Sequence, residues 1–321
     1  MSPLMLSAAF LLDQIIGDPA RITHPVVLMG KIIAYLDKKL NSGSAQIRRW
    51  RGIVLTVILA GGSYLLTWGL LQISGLLHPY LKAGVEIYLV ATTIASKSLL
   101  EAGRGVLTEL QKSDLAQARL RLSWLVSRDT TDLPEKDIVR GTIETLAENF
   151  VDGILSPLFF AALGGAPLAM AFKAVSTLDS MVGYRNERYS DFGWFSARSD
   201  DWANFIPARL CVPILLAAGW VSRLPVEQAW QTWQRDAGKH PSPNGGNPES
   251  IVAGLLGIRL GGINIYHGQE HYRAEMGEAR HTATAQDIID TLALIQLANW
   301  LALIPILILS ALIFYLIKRP L

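Results

Sequence analysis

The sequence predicts an all-α polytopic membrane protein, with about four to six membrane-embedded helices and cytoplasmic helical and loop segments that carry its chemistry. Three observations support this. Hydrophobic residues fill 50% of the 321 positions and charged residues only 17%, against roughly 25% in soluble domains; mean hydropathy is +0.30. Residues 52–81 and 292–317 form runs of 30 and 26 positions without Asp, Glu, Lys or Arg, each longer than the ~20 apolar residues that cross a bilayer. No segment stands out with the two-residue alternation of a half-buried strand.

The first element, 3–17, is a short apolar segment interrupted by Asp13 and ended by Gly17-Asp18-Pro19. It has neither a basic leader nor a small-residue cleavage site, so it reads as a retained segment rather than a signal peptide. Lys31, Lys38, Lys39, Arg48, Arg49 and Arg51 follow. Their charge places the start of the next span, 53–77, on the cytoplasmic side. His78-Pro79-Tyr80 is the outer turn, and 83–99 returns the chain. Residues 100–150 are polar with a helical pattern: Asp114 suits a helix N-cap, and Leu133-Pro134-Glu135 a helix start.

Residues 153–172 are uncharged for 20 positions yet contain Pro157, Gly164-Gly165 and Pro167, the composition of a broken or re-entrant element. Segment 173–204 is polar, 205–222 is apolar around Arg209, Pro207 and Pro213, 223–291 is polar, and 292–317 is the last span, tipped by Lys318 and Arg319. The whole chain, 1–321, reads as one membrane-embedded domain. A net charge of +2 on scattered basic residues leaves no nucleic-acid footprint. The lone Cys211 excludes an internal disulfide and a cysteine-based zinc site.

Three constellations suit chemistry. Glu144, Glu148 and Asp152 recur at four-residue spacing, which puts them on one helix face. Three like charges there call for a counter-ion, and Mg²⁺, which takes hard oxygen ligands, is a candidate. The alternative is a solvated stripe or partners for Arg128, Arg140 and Lys173. The second constellation runs from Lys173 through Asp179, Arg185 and Arg188 to Arg198, Asp200 and Asp201. It mixes cations suited to phosphate with carboxylates suited to a metal. An ordinary basic cytoplasmic loop would explain its arginines but not its aspartates.

The third is the loop 236–249. His240 titrates near neutrality, and Ser242, Asn244, Gly245 and Gly246 offer donors to an anion ahead of a helix expected from 249. His24, before Pro25, is a weaker isolated candidate. There is no phosphate-binding P-loop, dinucleotide fingerprint, nucleophile-elbow serine or zinc-protease histidine pair.

These stretches resemble the adenosylcobinamide-phosphate synthase family, CobD/CbiB, of cobalamin biosynthesis. The matching residues are Gly17-Asp18-Pro19 with His24-Pro25-Val26, Ser127-Arg128-Asp129-Thr130, Glu144 to Gly153, Lys173 to Tyr184, Ala197 to Asp201, Pro207-Ala208-Arg209, His240 to Glu249 and Leu260-Gly261-Gly262. They follow the family order across about 11–265. Ser127, where glycine is expected, and Asn247, where an aromatic is common, depart from the pattern without removing a charge.

The resemblance implies ATP-dependent amide formation between adenosylcobyric acid and (R)-1-aminopropan-2-ol O-phosphate or a related aminoalcohol. ATP and Mg²⁺ would be used, with the corrinoid and aminoalcohol phosphate as substrates and the bilayer as surroundings. Such chemistry needs an activated carboxylate, cations for the moving phosphoryl group and a base for the ammonium. On that expectation Glu144, Glu148, Asp152 and Asp179 serve the metal, and His240, Lys173, Asp200 and Asp201 serve catalysis. Arg128, Arg185, Arg198, Ser242, Asn244, Gly245, Gly246 and His24 serve substrate and phosphate binding. The expected location is the cytoplasmic membrane with the site facing the cytoplasm, as a homo-oligomer or in complex with other cobalamin-assembly enzymes. Two other readings compete: a transporter using Glu86, Lys97 and Arg209 in the membrane, and a non-catalytic assembly partner.

Overall fold

Serine and histidine side chains, each followed by proline, start three of the first four helices, because proline suits the first helical turn, where no partner awaits its missing N–H. The computed structural model describes residues 1–17, 24–266 and 268–318. Asp18 and Pro19 of the first motif, and Arg319, lie outside the described residues. In chain order the helices open with α1 (Pro3–Ile16), α2 (Pro25–Leu40), α3 (Ala45–Leu77) and α4 (Pro79–Ala91). The caps Ser2, His24, Ser44 and His78 accept backbone N–H groups at their starts.

Next come α5 (Ser96–Gln111), α6 (Leu115–Ser123) and α7 (Glu135–Phe150). Asp114 caps α6, its Oδ1 accepting from Gln117 N at 3.0 Å, as its position predicts. A π-helical turn, Val151–Leu155, leads into α8 (Ser156–Val182). Helix α8 is broken at Gly164–Gly165, where Gly165 takes φ +67°, a conformation that excludes most side chains. Pro157 and Pro167 begin the two halves, so the density of breakers read from the sequence corresponds to a real break. Then follow α9 (Trp194–Ala203), α10 (Phe205–Val221), α11 (Val226–Asp236), α12 (Gly246–Leu256), strands β1 (Leu260–Tyr266) and β2 (Gln269–Met276), and α13 (Ala285–Lys318).

Four helical stretches are long and apolar enough to cross a membrane: Ala45–Leu77, Pro79–Gln111, Glu135–Val182 and Ala285–Leu316. A fifth forms if α9 and α10 count as one bent span. On α3 the side chains of Val57, Ile58, Leu65, Leu66, Ile73 and Leu76 are exposed, an apolar surface of the kind a bilayer covers. The protein is therefore an all-α polytopic membrane protein. Its sheet, among the described residues, is one antiparallel hairpin with a bulge between Leu260 and Gly262. This hairpin lies in the polar stretch 223–291, where no strand was expected; its alternation is blurred by the glycines of the bulge and by the charges on β2.

Contacts along the chain gather into two compact units, each assembled from separate segments. One comprises Met1–Ala95, Asp152–Asn204 and Leu303–Leu321; the other comprises Ser96–Val151 and Phe205–Ala302. In the first unit, Ile33, Leu55, Leu178, Val182 and Phe192 form a buried cluster joining α2, α3, α8 and the loop after α8. In the second, α7 is buried along most of its length, and α12 packs on α7, α10 and α11.

Candidate active site

The second unit contains the tightest group of metal-ligating side chains among the described residues. One ligand atom each from Glu148, His240 and Glu249 lies within 4.8 Å of the others. Three elements supply them: the last turn of α7, the loop before α12 and the first turn of α12. The His240 side chain is 4% exposed and that of Glu249 0%, so these polar groups lie where an unpaired charge is costly. His240 Nε2 stands 3.4 Å from Glu249 Oε1. Arg273, from β2, places Nη2 3.0 Å from the same oxygen and in close contact with His240 Nε2. On the other side of the ring, Nδ1 meets the backbone N–H and C=O of Ser242 at 3.0 and 3.1 Å.

The imidazole thus has a partner in either protonation state. Neutral, Nε2 accepts from Arg273; protonated, it donates to Glu249. Burial alone would push the imidazole below its usual value, but the hydrogen bond and charge of Glu249 outweigh it and leave His240 raised. Burial would likewise raise Glu249, and the hydrogen bond from His240 with the charge of Arg273 holds it below the usual carboxylate value. The second oxygen, Glu249 Oε2, is buried without a hydrogen-bond partner.

Beside this group lies a second buried network. Glu144 Oε2 accepts from Arg128 Nη2 at 2.8 Å, and its Oε1 accepts from Gly261 N at 2.8 Å. Arg128 also contacts Asn264 Oδ1, to which Arg140 Nη2 donates at 3.2 Å; the same atom of Arg140 donates to Ile263 O at 2.9 Å. The network ties β1 to α7. Gly261 adopts φ +85° and Gly262 φ +89°, which allows the bulge to turn the Gly261 N–H toward Glu144.

Relative to the sequence reading, three placements change. Glu144 does not join Glu148 in a metal-ligating face, because both of its oxygens are engaged by Arg128 and Gly261. Asp152 sits on the π-helical turn, where the four-residue register of α7 is lost, and the structure groups it with the first unit. Arg128 is likewise held at Glu144 and Asn264 rather than presented to a phosphate.

The loop 240–249 also differs from an open anion cradle. A Cβ on Gly245 would lie 2.6 Å from the His240 ring, and one on Gly246 2.0 Å from Ala237 O. Both glycines therefore make room for the imidazole and the preceding backbone. Ser242 Oγ accepts from Asn244 N, and Asn244 Oδ1 accepts from Arg209 Nη1 at 3.2 Å. Arg209, a charge that a transport pathway would need, braces this loop and also donates to Phe205 O and Pro243 O. Glu249 and Arg273 are the residues that sequence reasoning missed. Glu249 stands in the Pro248-Glu249 motif, where its position marks a helix start, and Arg273 belongs to no motif.

In the first unit, the loop after α8 and helix α9 surround a cavity of about 210 Å³ lined by Tyr184, Arg185, Tyr189, Trp194, Arg198 and Asp201, among others. The structure thus places Arg185, Arg198 and Asp201, members of the second constellation, around one cavity. Asp200 Oδ2 accepts from Asn204 Nδ2 at 2.9 Å. Asp179 lies over Gly183, whose absent Cβ would fall 1.9 Å from its Oδ1. Lys173 sits mid-α8, and His24 Nδ1 caps α2 by accepting from Val26 N at 3.3 Å.

This architecture defines a polytopic membrane protein whose polar side chains converge on a buried acid–imidazole–guanidinium group, a combination suited to moving protons and holding cations. Comparison with known proteins makes this specific. Residues 6–295 match the family model described as CobD/Cbib protein. The cobalamin biosynthesis protein CbiB of Salmonella paratyphi B is 43% identical over 306 residues, covering 94% of this chain and 96% of the relative. CobD of Halalkalibacterium halodurans is 44% identical over 294 residues, 91% and 92% of the two chains. CobD of Klebsiella pneumoniae is 44% identical over 305 residues, 94% and 96%. No solved structure matches. The chain belongs to the CobD/CbiB family of cobalamin biosynthesis proteins.

Proposed function

We propose that the protein is an ATP-dependent acid–amine ligase of the cytoplasmic membrane. It joins adenosylcobyric acid to (R)-1-aminopropan-2-ol O-phosphate, or a related aminoalcohol, to give adenosylcobinamide phosphate on the cytoplasmic side. The observation that carries this reading is the buried group of Glu148, His240, Glu249 and Arg273. A carboxylate and an ammonium do not condense unaided. The carboxylate first takes the γ-phosphoryl group of ATP, releasing ADP. The free amine then attacks the acyl phosphate carbonyl, an amide bond forms, and phosphate leaves with one former carboxylate oxygen.

In this reading His240 accepts the ammonium proton at Nε2 as general base, with Glu249 beside it at 3.4 Å. Arg273 supplies the cation for a developing anion. Mg²⁺ fits the carboxylates here: Glu249 Oε2 is buried without a partner, and Mg²⁺ is commonly held by one or two carboxylates plus substrate phosphates. Glu148 and Glu249 would hold it, neutralising charge on the nucleotide phosphates, while the imidazole, a softer donor, keeps its proton role. Purified full-length protein in detergent, given ATP, Mg²⁺ and both substrates, should form the amide. A protein that binds corrinoid but forms none would leave transport or assembly as its role.

A further inference from the structure

Helix α2 has two faces. Met29, Ile33 and Asp37 are buried at four-residue spacing. Ile33 packs with Leu55 of α3 and with Leu178 and Val182 of α8, and Met29 with Met170 and Ala174 of α8. Leu59 of α3 lies against both clusters. At the other end, Arg51 Nη1 donates to Leu40 O at 3.2 Å and to Ser42 O at 3.0 Å. The helix therefore runs back along α3, its C-terminal end level with Arg51 and its N-terminal end level with Leu59. About 12 Å of helix rise separates those two residues, and the uncharged run of α3 starts directly after Arg51.

The other face of α2 is exposed, and its residues change along the axis. Val27, Leu28 and Ile32 come first, then Tyr35, then Lys38 and Lys39. Helix α3 shows the reverse order: Arg49, then Trp50, then Val54, Val57 and Ile58, all exposed. Two antiparallel helices thus place cations, amphipathic rings and aliphatic chains at matching levels. That is the order of headgroups, interface and hydrocarbon in a bilayer. Lys31, in the apolar half, has a stem long enough to carry its charge to the interface. At 16 residues α2 is too short to cross, so it enters the leaflet from one side only.

The cations at this level are left over from the pairing that builds the fold. Asp37, the one acid between residues 24 and 52, accepts from Arg188 at 2.6 Å. Asp191 accepts from Arg48 at 2.6 Å. Lys31, Lys38, Lys39 and Arg49 make no ion pair among the described residues; Lys39 and Arg49 rest on the rings of Tyr35 and Trp194. Beside Arg49 opens a groove of about 430 Å³ whose walls include Ser44 and Gln46. We infer that the exposed face of α2 is embedded in one leaflet, and that Lys38, Lys39 and Arg49 gather the phosphates of anionic phospholipids there. Charge complementarity selects anionic over zwitterionic headgroups. Continuity with the exposed apolar side of α3 selects lipid over a soluble partner.

The test uses full-length protein in detergent, titrated with phosphatidylglycerol or phosphatidylcholine and read by native mass spectrometry. Phosphatidylglycerol should bind more tightly. Lys38→Gln, Lys39→Gln and Arg49→Gln should each weaken it about fivefold, with phosphatidylcholine binding and melting as in wild type. Lys38→Arg, which keeps the charge, should bind as wild type. Equal binding of the two lipids, or an unchanged preference in the triple glutamine variant, would overturn the lipid selectivity. So would displacement of phosphatidylglycerol by inorganic phosphate beyond that caused by sodium chloride of equal ionic strength, the mark of a free-anion site. Depth is read separately in phosphatidylcholine–phosphatidylglycerol nanodiscs, with a nitroxide on Leu28→Cys or Lys39→Cys in a Cys211→Ala background. The label at 28 should collide with oxygen, and the label at 39 with a water-soluble nickel chelate. A label at 28 open to nickel would put α2 in water, and one shielded from both reagents would make this face a protein interface. Either result would overturn the embedding.

Discussion

Glu249 Oε1 lies 3.4 Å from His240 Nε2, nine positions along the same loop-to-helix segment, and Arg273 donates to that oxygen from a different element at 3.0 Å. The carboxylate and the imidazole therefore face one another in a buried setting that also holds the Arg273 guanidinium. If His240 is the base, its neutral form is active, and its raised affinity for a proton places the acid limb of turnover above the usual imidazole value of about 6.5. His240→Ala should lower turnover by about 10²–10⁴-fold with a smaller effect on ATP affinity. Glu249→Gln removes the group that raises His240, so its residual activity should show the acid limb moved to lower pH. Profiles of kcat against pH for wild type and Glu249→Gln check this.

Glu144 and Glu148 sit one helical turn apart in different surroundings: Glu144 accepts from Arg128 and Gly261 N, and Glu148 lies with His240 and Glu249. Glu144→Gln leaves the Arg128 guanidinium buried without its charge partner, a change that costs about 3–5 kcal/mol in a buried pair. It should lower the melting temperature markedly. Glu148→Gln should leave melting near wild type and remove Mg²⁺-dependent turnover. Thermal unfolding beside activity for both variants separates the two; loss of activity without loss of stability in Glu144→Gln would return that residue to the metal.

Gly245 tests whether loop glycines serve the imidazole or an anion. Gly245→Ala sets a methyl 2.6 Å from the His240 ring, so the ring must move. Turnover should fall by a factor approaching that of His240→Ala, and adding phosphate or aminoalcohol phosphate should not restore it. A variant with normal kcat and a raised KM for aminoalcohol phosphate would favour the anion role instead.

Asp236, at the end of α11, is buried and accepts from Arg235, Lys239 and Gly277 N. Burial would raise its carboxyl, but these partners hold it well below the usual carboxylate range. A depressed folded-state value stabilises the fold above the unfolded value of about 3.9 and is lost as pH falls toward the folded one. Asp236→Asn should therefore lower the melting temperature throughout pH 5–8. The gap from wild type should close only on acidification below about pH 4. Melting curves across pH check both the sign and the window.

The membrane helices were legible because hydropathy and breakers act locally. The uncharged run 52–81 produced α3, Asp114 capped α6, and Gly164-Gly165 with Pro167 broke α8. The ends differ for equally local reasons: α3 begins seven residues before the uncharged run because Ser44 caps it and its first turns carry Arg48, Arg49 and Arg51. The site was legible only in part. Helical spacing grouped Glu144 with Glu148, yet what divides them is Gly261, 117 positions away, reached through a bulge that periodicity does not signal. Arg273 was invisible for the same reason: a strand arginine outside any motif gains meaning only once β2 lies beside α12. Arg185, Arg198 and Asp201 share one constellation in the sequence, and which of its members meet at one cavity depends on the fold of the loop between α8 and α9.

In the proposed reaction the protein activates a corrinoid carboxylate by phosphoryl transfer and passes it to an amine. The most direct measurement uses adenosylcobyric acid with ¹⁸O in the reacting carboxylate, ATP, Mg²⁺ and aminoalcohol phosphate, followed by mass analysis of the released phosphate. One ¹⁸O atom per amide formed should appear in inorganic phosphate, with ADP as the other product. Amide formation with ¹⁸O in AMP, or ATP hydrolysis with no label in phosphate, would contradict the account.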